Sequence, residues 1–131
     1  MSDTTFFVPG VPSPQGSKSL SRSGHMYEAN KRLKPWRDQV VFHAKRAHGR
    51  EEPIDTAVKV TAVFLFPKPR TTRFKRYPAG KPDVDKLCRA VLDSLTIARV
   101  IRDDARVVEL VARKEWADTK NGAQITVELV E

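Results

Sequence analysis

Lys81-Pro82-Asp83-Val84-Asp85-Lys86-Leu87-Cys88-Arg89, echoed by Arg102-Asp103-Asp104-Ala105-Arg106, places acidic residues together in a chain that is otherwise strongly basic. Pro82 biases Lys81 toward extended geometry, which predicts Asp83 at the end of a strand-like segment. Residues two apart in extended backbone point the same way, so Asp83 and Asp85 can present both carboxylates to one point. From there the apolar residues fall at Val84, Leu87, Cys88, Val91, Leu92, Leu95 and Ala98, the spacing of a helix buried along one face. Asp85 stands where an N-cap belongs, and Lys86, Arg89 and Asp93 take the polar face. Such a helix start is electropositive and attracts phosphate.

Carboxylates select hard cations. Mg²⁺ or Mn²⁺ takes oxygen ligands, some of them from substrate phosphate. No Cys or His partners stand at zinc-ligand spacing. A metal held by Asp83, Asp85 and a third Asp would generate hydroxide and neutralise charge on a phosphodiester. Arg89 or Lys86 would steady the negative charge that develops. Each Asp also has a plainer reading, as a helix cap or a turn residue, and the sequence alone leaves both open.

The whole chain of 131 residues suits one domain with a modest core. Its 24 Lys and Arg against 16 Asp and Glu give a formal charge of +8, which implies a polyanionic partner. No apolar run approaches the ~20 residues of a membrane span, and the N-terminus lacks the basic-then-apolar order of a signal peptide. Cys88 is the single cysteine, so no internal disulfide is expected and a reducing compartment suits the chain. Cys88 lies on the apolar stripe and is read as packing.

The remaining elements follow in order. Residues 4–8 read as a strand, and residues 9–23 as a long loop whose Lys18 and Arg22 can meet phosphate. A helix is expected from Pro35 to about His48 with Gly49 as its stop, burying Trp36, Val40, Ala44 and Ala47. His25, His43 and His48 share no metal-like spacing and are read as incidental. Residues 57–66 alternate as a strand, with Val63 and Leu65 suggesting a far end covered on both faces. Residues 67–82 then carry six cations, Lys68, Arg70, Arg73, Lys75, Arg76 and Lys81, with four prolines and no acid. Such a segment builds no core and is expected to be a mobile loop that lays DNA backbone across the acidic stretch. Phe74 or Tyr77 within it can stack on an unpaired base. Residues 106–112 and 123–130 read as two strands with Asn121-Gly122 as the turn between them. The expected fold is a single α+β domain over residues 1–131, with two main helices on a mixed sheet in the order β–α–β–α–β–β.

The run from Pro82 to Leu95, followed by Asp103-Asp104-Ala105-Arg106-Val107-Val108-Glu109, resembles the RusA family of Holliday-junction resolvases. That family's pattern is Pro-Asp-x-Asp-Asn-x-x-Lys-x-x-x-Asp-x-Leu, then Asp-Asp and a short Val-rich strand. The resemblance implies Asp83, Asp85 and Asp104 as metal-binding aspartates, with Arg89 in the place of the catalytic lysine. Asp103, Asp93 and Lys86 are secondary candidates. The resemblance also implies a Mg²⁺-dependent homodimer (Mn²⁺ substituting) that resolves four-way DNA junctions in recombination and repair, in a bacterial or phage-infected cytoplasm. Two departures stand out: Lys86 replaces the family's Asn, and Arg89 replaces its Lys. Arg offers a rigid fork to phosphate but donates no proton near neutral pH. Two other classes fit the same charge pattern, a non-catalytic DNA-binding accessory protein and a broader branched-DNA or flap nuclease.

Overall fold

The computed structural model describes residues 3–16, 19–20, 26–27 and 31–130. Lys18, Arg22 and His25 lie outside the described residues. β1 (Thr4–Pro9) leads the chain, and a two-residue ladder, β2 (Ser19–Leu20) with β3 (Met26–Tyr27), falls where the sequence reads as loop and beyond it. Then come α1 (Leu33–His48), β4 (Val58–Phe66), α2 (Val84–Ile97), a short 3₁₀ turn at Asp104–Arg106, β5 (Val107–Trp116) and β6 (Gly122–Leu129). Apart from the small ladder this is the expected β–α–β–α–β–β order.

The main sheet runs β1-β6-β4-β5, with β4 parallel to β5 and antiparallel to β6, and β6 antiparallel to β1. β4 carries the core. Val58, Val60, Ala62, Phe64 and Phe66 are buried on one face, as their alternation predicts, together with Val8, Ile125 and Val127 from neighbouring strands. The helices meet this face, α1 against β1 and α2, and α2 against β5. Val63 and Leu65 on the other face are only half-buried, so the expected double cover is absent.

β5 and β6 do not pair with each other, contrary to a turn that would join neighbouring strands. β6 inserts between β1 and β4 while β5 takes the outer edge beside β4, so residues 117–121 cross the end of β4. Gly122 is the first residue of β6 at φ 156, and a Cβ there would stand 2.2 Å from the carbonyl oxygen of Val8. Close backbone approach, and not a hairpin turn, requires this glycine.

α1 buries Leu33, Trp36, Val40, Ala44 and His48. The four-residue step carries the buried stripe on to His48, leaving Ala47 exposed. His48 Nε2 lies 3.0 Å from the Glu52 carbonyl oxygen, so this histidine belongs to the packing. Pro35 sits in the first turn, where no helical N–H partner is lost. Lys45, Arg46 and His48 in the last turn oppose the negative helix end, and Gly49 at φ 70 closes it. α2 closes differently. Arg99 takes φ 62, and Val100 N–H returns to the Leu95 carbonyl at 3.0 Å, with both Val100 and Leu95 wholly buried.

Candidate active site

The site is built around α2. Asp83, not Asp85, occupies the N-cap position, with extended backbone at φ −72 and ψ 138, and its carbonyl accepts the first helical bond from Leu87 N–H at 3.1 Å. Val84 already has helical backbone, which moves the cap two residues earlier than its spacing suggests. No strand leads into Asp83, since residues 67–82 contain neither strand nor helix, and the Lys81–Pro82 peptide is cis. The Asp83 side chain makes no capping hydrogen bond. It lies 3.6 Å from Lys86 Nζ in an exposed pair that contributes little to stability.

Asp85 follows in the first turn, exposed, where a negative charge complements the positive helix end. One turn on, the Cys88 thiol is pushed up to about 11, first by burial and then by the Asp85 charge. That places the thiol in the core as a protonated group and Asp85 beside it. Arg89 is exposed on the polar face and forms no ion pair with Asp93 four residues later. Two carboxylates and two cations, Lys86 and Arg89, thus share the start of α2.

Asp104 sits elsewhere. It opens the 3₁₀ turn, half-buried, and accepts a hydrogen bond from Thr96 Oγ1 near the C-terminal end of α2. α2 has 14 residues and is therefore about 21 Å long, which separates the Asp83 and Asp104 ends of one copy. Among the described residues no group of three or more Asp, Glu, His or Cys side chains could hold a metal ion. Asp103, next door, caps the turn by accepting from Ala105 N–H at 2.9 Å. Of the adjacent acids, Asp103 shapes the turn and Asp104 faces the helix. Arg106 in turn binds Asp55 at 2.8 Å and holds its carboxyl below the usual range, with Arg102 a lesser contributor. This bond ties the turn to the residues ahead of β4.

The basic segment is fastened at its far end. Lys114 Nζ donates to the carbonyl oxygens of Gly80 at 2.6 Å and Pro82 at 2.7 Å, and Trp116 Nε1 donates to Phe74 O at 3.0 Å. Inside it Lys68 Nζ reaches Lys75 O at 2.7 Å, and the Arg73 guanidinium lies 4.8 Å above the Phe74 ring. Arg70, Arg73, Lys75, Arg76 and Lys81 stay exposed. Phe74 is half-buried against Gly80, whereas Tyr77 is 52% exposed, so of the two aromatics Tyr77 is open to a base.

Sequence reasoning did not find Lys114, Trp116, Thr96 or Gln15. Ending the strand at Ala112 hid the first two, although continued alternation through Leu110, Ala112 and Lys114 sets a cation on the helix side. Gln15 N–H donates to Lys86 O at 3.0 Å and brings residues 9–16 against the start of α2, and no local pattern signals that contact.

The structure has no helix long and apolar enough to cross a membrane among the described residues. No individually curated protein matches the chain significantly. Comparison with protein families matches residues 9–128 to the family described as Endodeoxyribonuclease RusA. That span takes in both helices, β4, β5 and β6 up to its last residue, only Pro9 of β1, and every acidic position discussed above. With its paired acids at the start of α2 and a match along nearly its whole length, the chain belongs to the RusA endodeoxyribonuclease family.

Proposed function

We propose that this protein is a divalent-metal-dependent homodimeric nuclease that resolves four-way DNA junctions, in a bacterial or phage-infected cytoplasm. The observation that carries the reading is the start of α2, where Asp83 and Asp85 stand exposed in a chain of charge +8 and the basic segment ends on them. The positive helix end, Lys86 and Arg89 bind the scissile phosphate. Arg89 opposes the negative charge that builds as the phosphodiester is attacked. Arg70, Arg73, Lys75, Arg76 and Lys81 hold the flanking backbone without reading sequence.

Asp83, Asp85 and Asp104 are the carboxylates proposed for Mg²⁺ or Mn²⁺, ions whose preference for oxygen suits them. One copy does not assemble this set, because Asp104 lies at the opposite end of α2. A paired cut across a two-fold junction calls for two sites and hence two copies.

The test is a labelled four-way junction, a duplex and a flap, each with Mg²⁺, Mn²⁺ or EDTA. The junction is expected to be cut with either metal, the other substrates to survive, and EDTA to stop the reaction. Tight junction binding with no cleavage under any condition would make the protein a DNA-binding accessory instead.

A further inference from the structure

Tyr77 is the aromatic ring that the basic segment leaves uncovered, 52% exposed, while Phe74 three residues earlier is half-buried. A ring in a stretch without helix or strand is ordinarily free to turn away. Here the backbone is pinned on both sides of it. Trp116 Nε1 donates to Phe74 O at 3.0 Å, Lys114 Nζ donates to Gly80 O at 2.6 Å, and Tyr77 O itself accepts from Ala79 N–H at 2.8 Å. Tyr77 therefore stands between two ties to the end of β5. A platform held in advance lowers the ordering cost of binding.

The ring borders a hollow of about 320 Å³ shared with Arg76, Arg113, Glu115 and Trp116. That volume is at the lower end for small-molecule pockets and suits one planar ring system. Trp116 is half-buried and its indole N–H is already committed, so it lends the hollow ring surface only. Arg113 and Glu115 stand two apart on β5 and share a face, with Nη2 and Oε2 3.1 Å apart. This surface pair contributes little by itself and leaves most of the guanidinium fork and the carboxylate lone pairs to a ligand. Aromatic faces beside a donor fork and an acceptor suit a flat ring with both donors and acceptors on its edge. Arg76 at the rim, with five further cations in the same segment, suits a ring that carries phosphate.

We propose that this hollow captures one unpaired nucleobase of branched DNA, stacked on Tyr77 with its edge on Arg113 and Glu115 and its phosphate on Arg76. A base inside duplex must first be unstacked and unpaired, so the hollow favours a branch point over intact duplex. Edge chemistry sets a preference among bases. A carboxylate only accepts, and it takes the exocyclic amine of adenine, cytosine or guanine, whereas thymine presents two carbonyl oxygens around a single N–H. Thymine is therefore the disfavoured base. Lys114, between Arg113 and Glu115 in sequence, holds Pro82 next to Asp83, so the hollow lies one residue along β5 from the clasp on the acidic helix start. This rests on the junction-nuclease reading given above and adds the ligand that distinguishes a branch from duplex.

Duplexes with a single-nucleotide bulge, measured in EDTA, test the hollow without cleavage. Wild type is expected to bind a bulged adenine about tenfold or more tightly than the same duplex with an abasic bulge. Tyr77→Phe should keep that ratio and Tyr77→Ala should lose it. A bulged thymine should bind less well than adenine, cytosine or guanine, and Glu115→Gln, which adds a donor, should narrow the gap. Trp116 supplies a second readout. The chain has two tryptophans, so in a Trp36→Phe background the adenine bulge should quench Trp116 emission and the abasic bulge should not. Equal binding of base and abasic bulges by wild type, with no quenching, overturns the pocket while junction cleavage still stands. A ratio that survives Tyr77→Ala puts the base elsewhere and overturns it as well. Thymine bound as tightly as the other bases overturns the edge contacts. A wild type that binds no DNA overturns the pocket and the nuclease reading together.

Discussion

Lys114, near the end of β5, donates to the Pro82 carbonyl oxygen across 32 residues of chain, and to Gly80 alongside. A half-buried ammonium that meets backbone oxygens and no carboxylate acts as a clasp, holding the residue that precedes Asp83. Lys114→Met keeps the aliphatic stem and removes the donors. It is expected to lose about 1–3 kcal/mol in urea unfolding, because two carbonyls lose their partner. Cleavage per folded molecule should fall as well, since the acids lose their anchor. Full activity in the folded variant would show that the clasp serves stability alone.

Asp83→Asn, Asp85→Asn and Asp104→Asn should each abolish cleavage while junction binding survives or tightens, since a negative charge beside phosphate is removed. Asp103→Asn makes an informative contrast. Asn also caps, so the turn and most of the activity should persist. Band shifts in EDTA and cleavage in Mg²⁺ measure both quantities. Near-normal nicking by the variants at Asp83 and Asp85 would dismiss the acidic pair as a reaction centre.

Arg89 is exposed and unpaired with Asp93, so Arg89→Ala should leave the melting temperature nearly unchanged. Turnover should fall roughly 10²–10³-fold with little change in junction affinity, as expected for a cation that acts on developing charge. Arg89→Lys should keep part of the rate. An equal loss in affinity and turnover would instead make Arg89 a ground-state phosphate contact.

Neutralising Arg70, Arg73, Lys75 and Arg76 should flatten the salt dependence of DNA binding by roughly one to three log units per log unit of salt. Duplex and junction should weaken together, because phosphate contacts carry no sequence. Tyr77→Ala should cost ~1–3 kcal/mol on the junction and almost nothing on duplex if the ring stacks on an unpaired base. Phe74→Ala should mainly loosen the segment, as the ring is covered by Arg73 and Gly80. A salt titration of both substrates separates these cases, and an unchanged slope would remove the segment from the DNA path.

The Cys88 thiol, raised from 9.0 to about 11, gives a pH prediction with a definite sign. The folded state holds its proton more tightly than the unfolded chain. Its contribution is whole below about pH 9 and is lost as pH climbs toward about 11. Urea midpoints should decline across that window, and Cys88→Ala, although less stable at pH 7, should decline less steeply. An identical slope in the variant would assign the alkaline loss to lysines.

The elements that could be read in the sequence are those whose pattern is local. β4 announces itself by strict alternation and α2 by its stripe through Leu87, Cys88, Val91 and Leu95, so Asp83 and Asp85 fall near the predicted helix start, whereas Asp104 does not. What failed depended on distant partners. Nothing in residues 106–130 tells that β6 joins β1 and β4 while β5 goes to the edge. His48 rather than Ala47 is buried because of a choice between adjacent positions that only the sheet beneath makes. The separation of Asp104 from Asp83 follows from the length of α2, which spacing alone converts into distance only once the helix is granted.

β6 lies between the first strand and β4, and this sets a timetable. β1 pairs only with β6 in the main sheet, from Thr4 opposite Val127 to Pro9 opposite Gly122. While the ribosome is still making the middle of the chain, β1 and β4 have no strand to bridge them. The sheet closes only when its last-made strand slides between two that have waited. Folding of this domain is therefore dominated by long-range closure and slow for its size. A chain cut before Gly122 would be left with two exposed strand edges where the finished protein has a sheet centre.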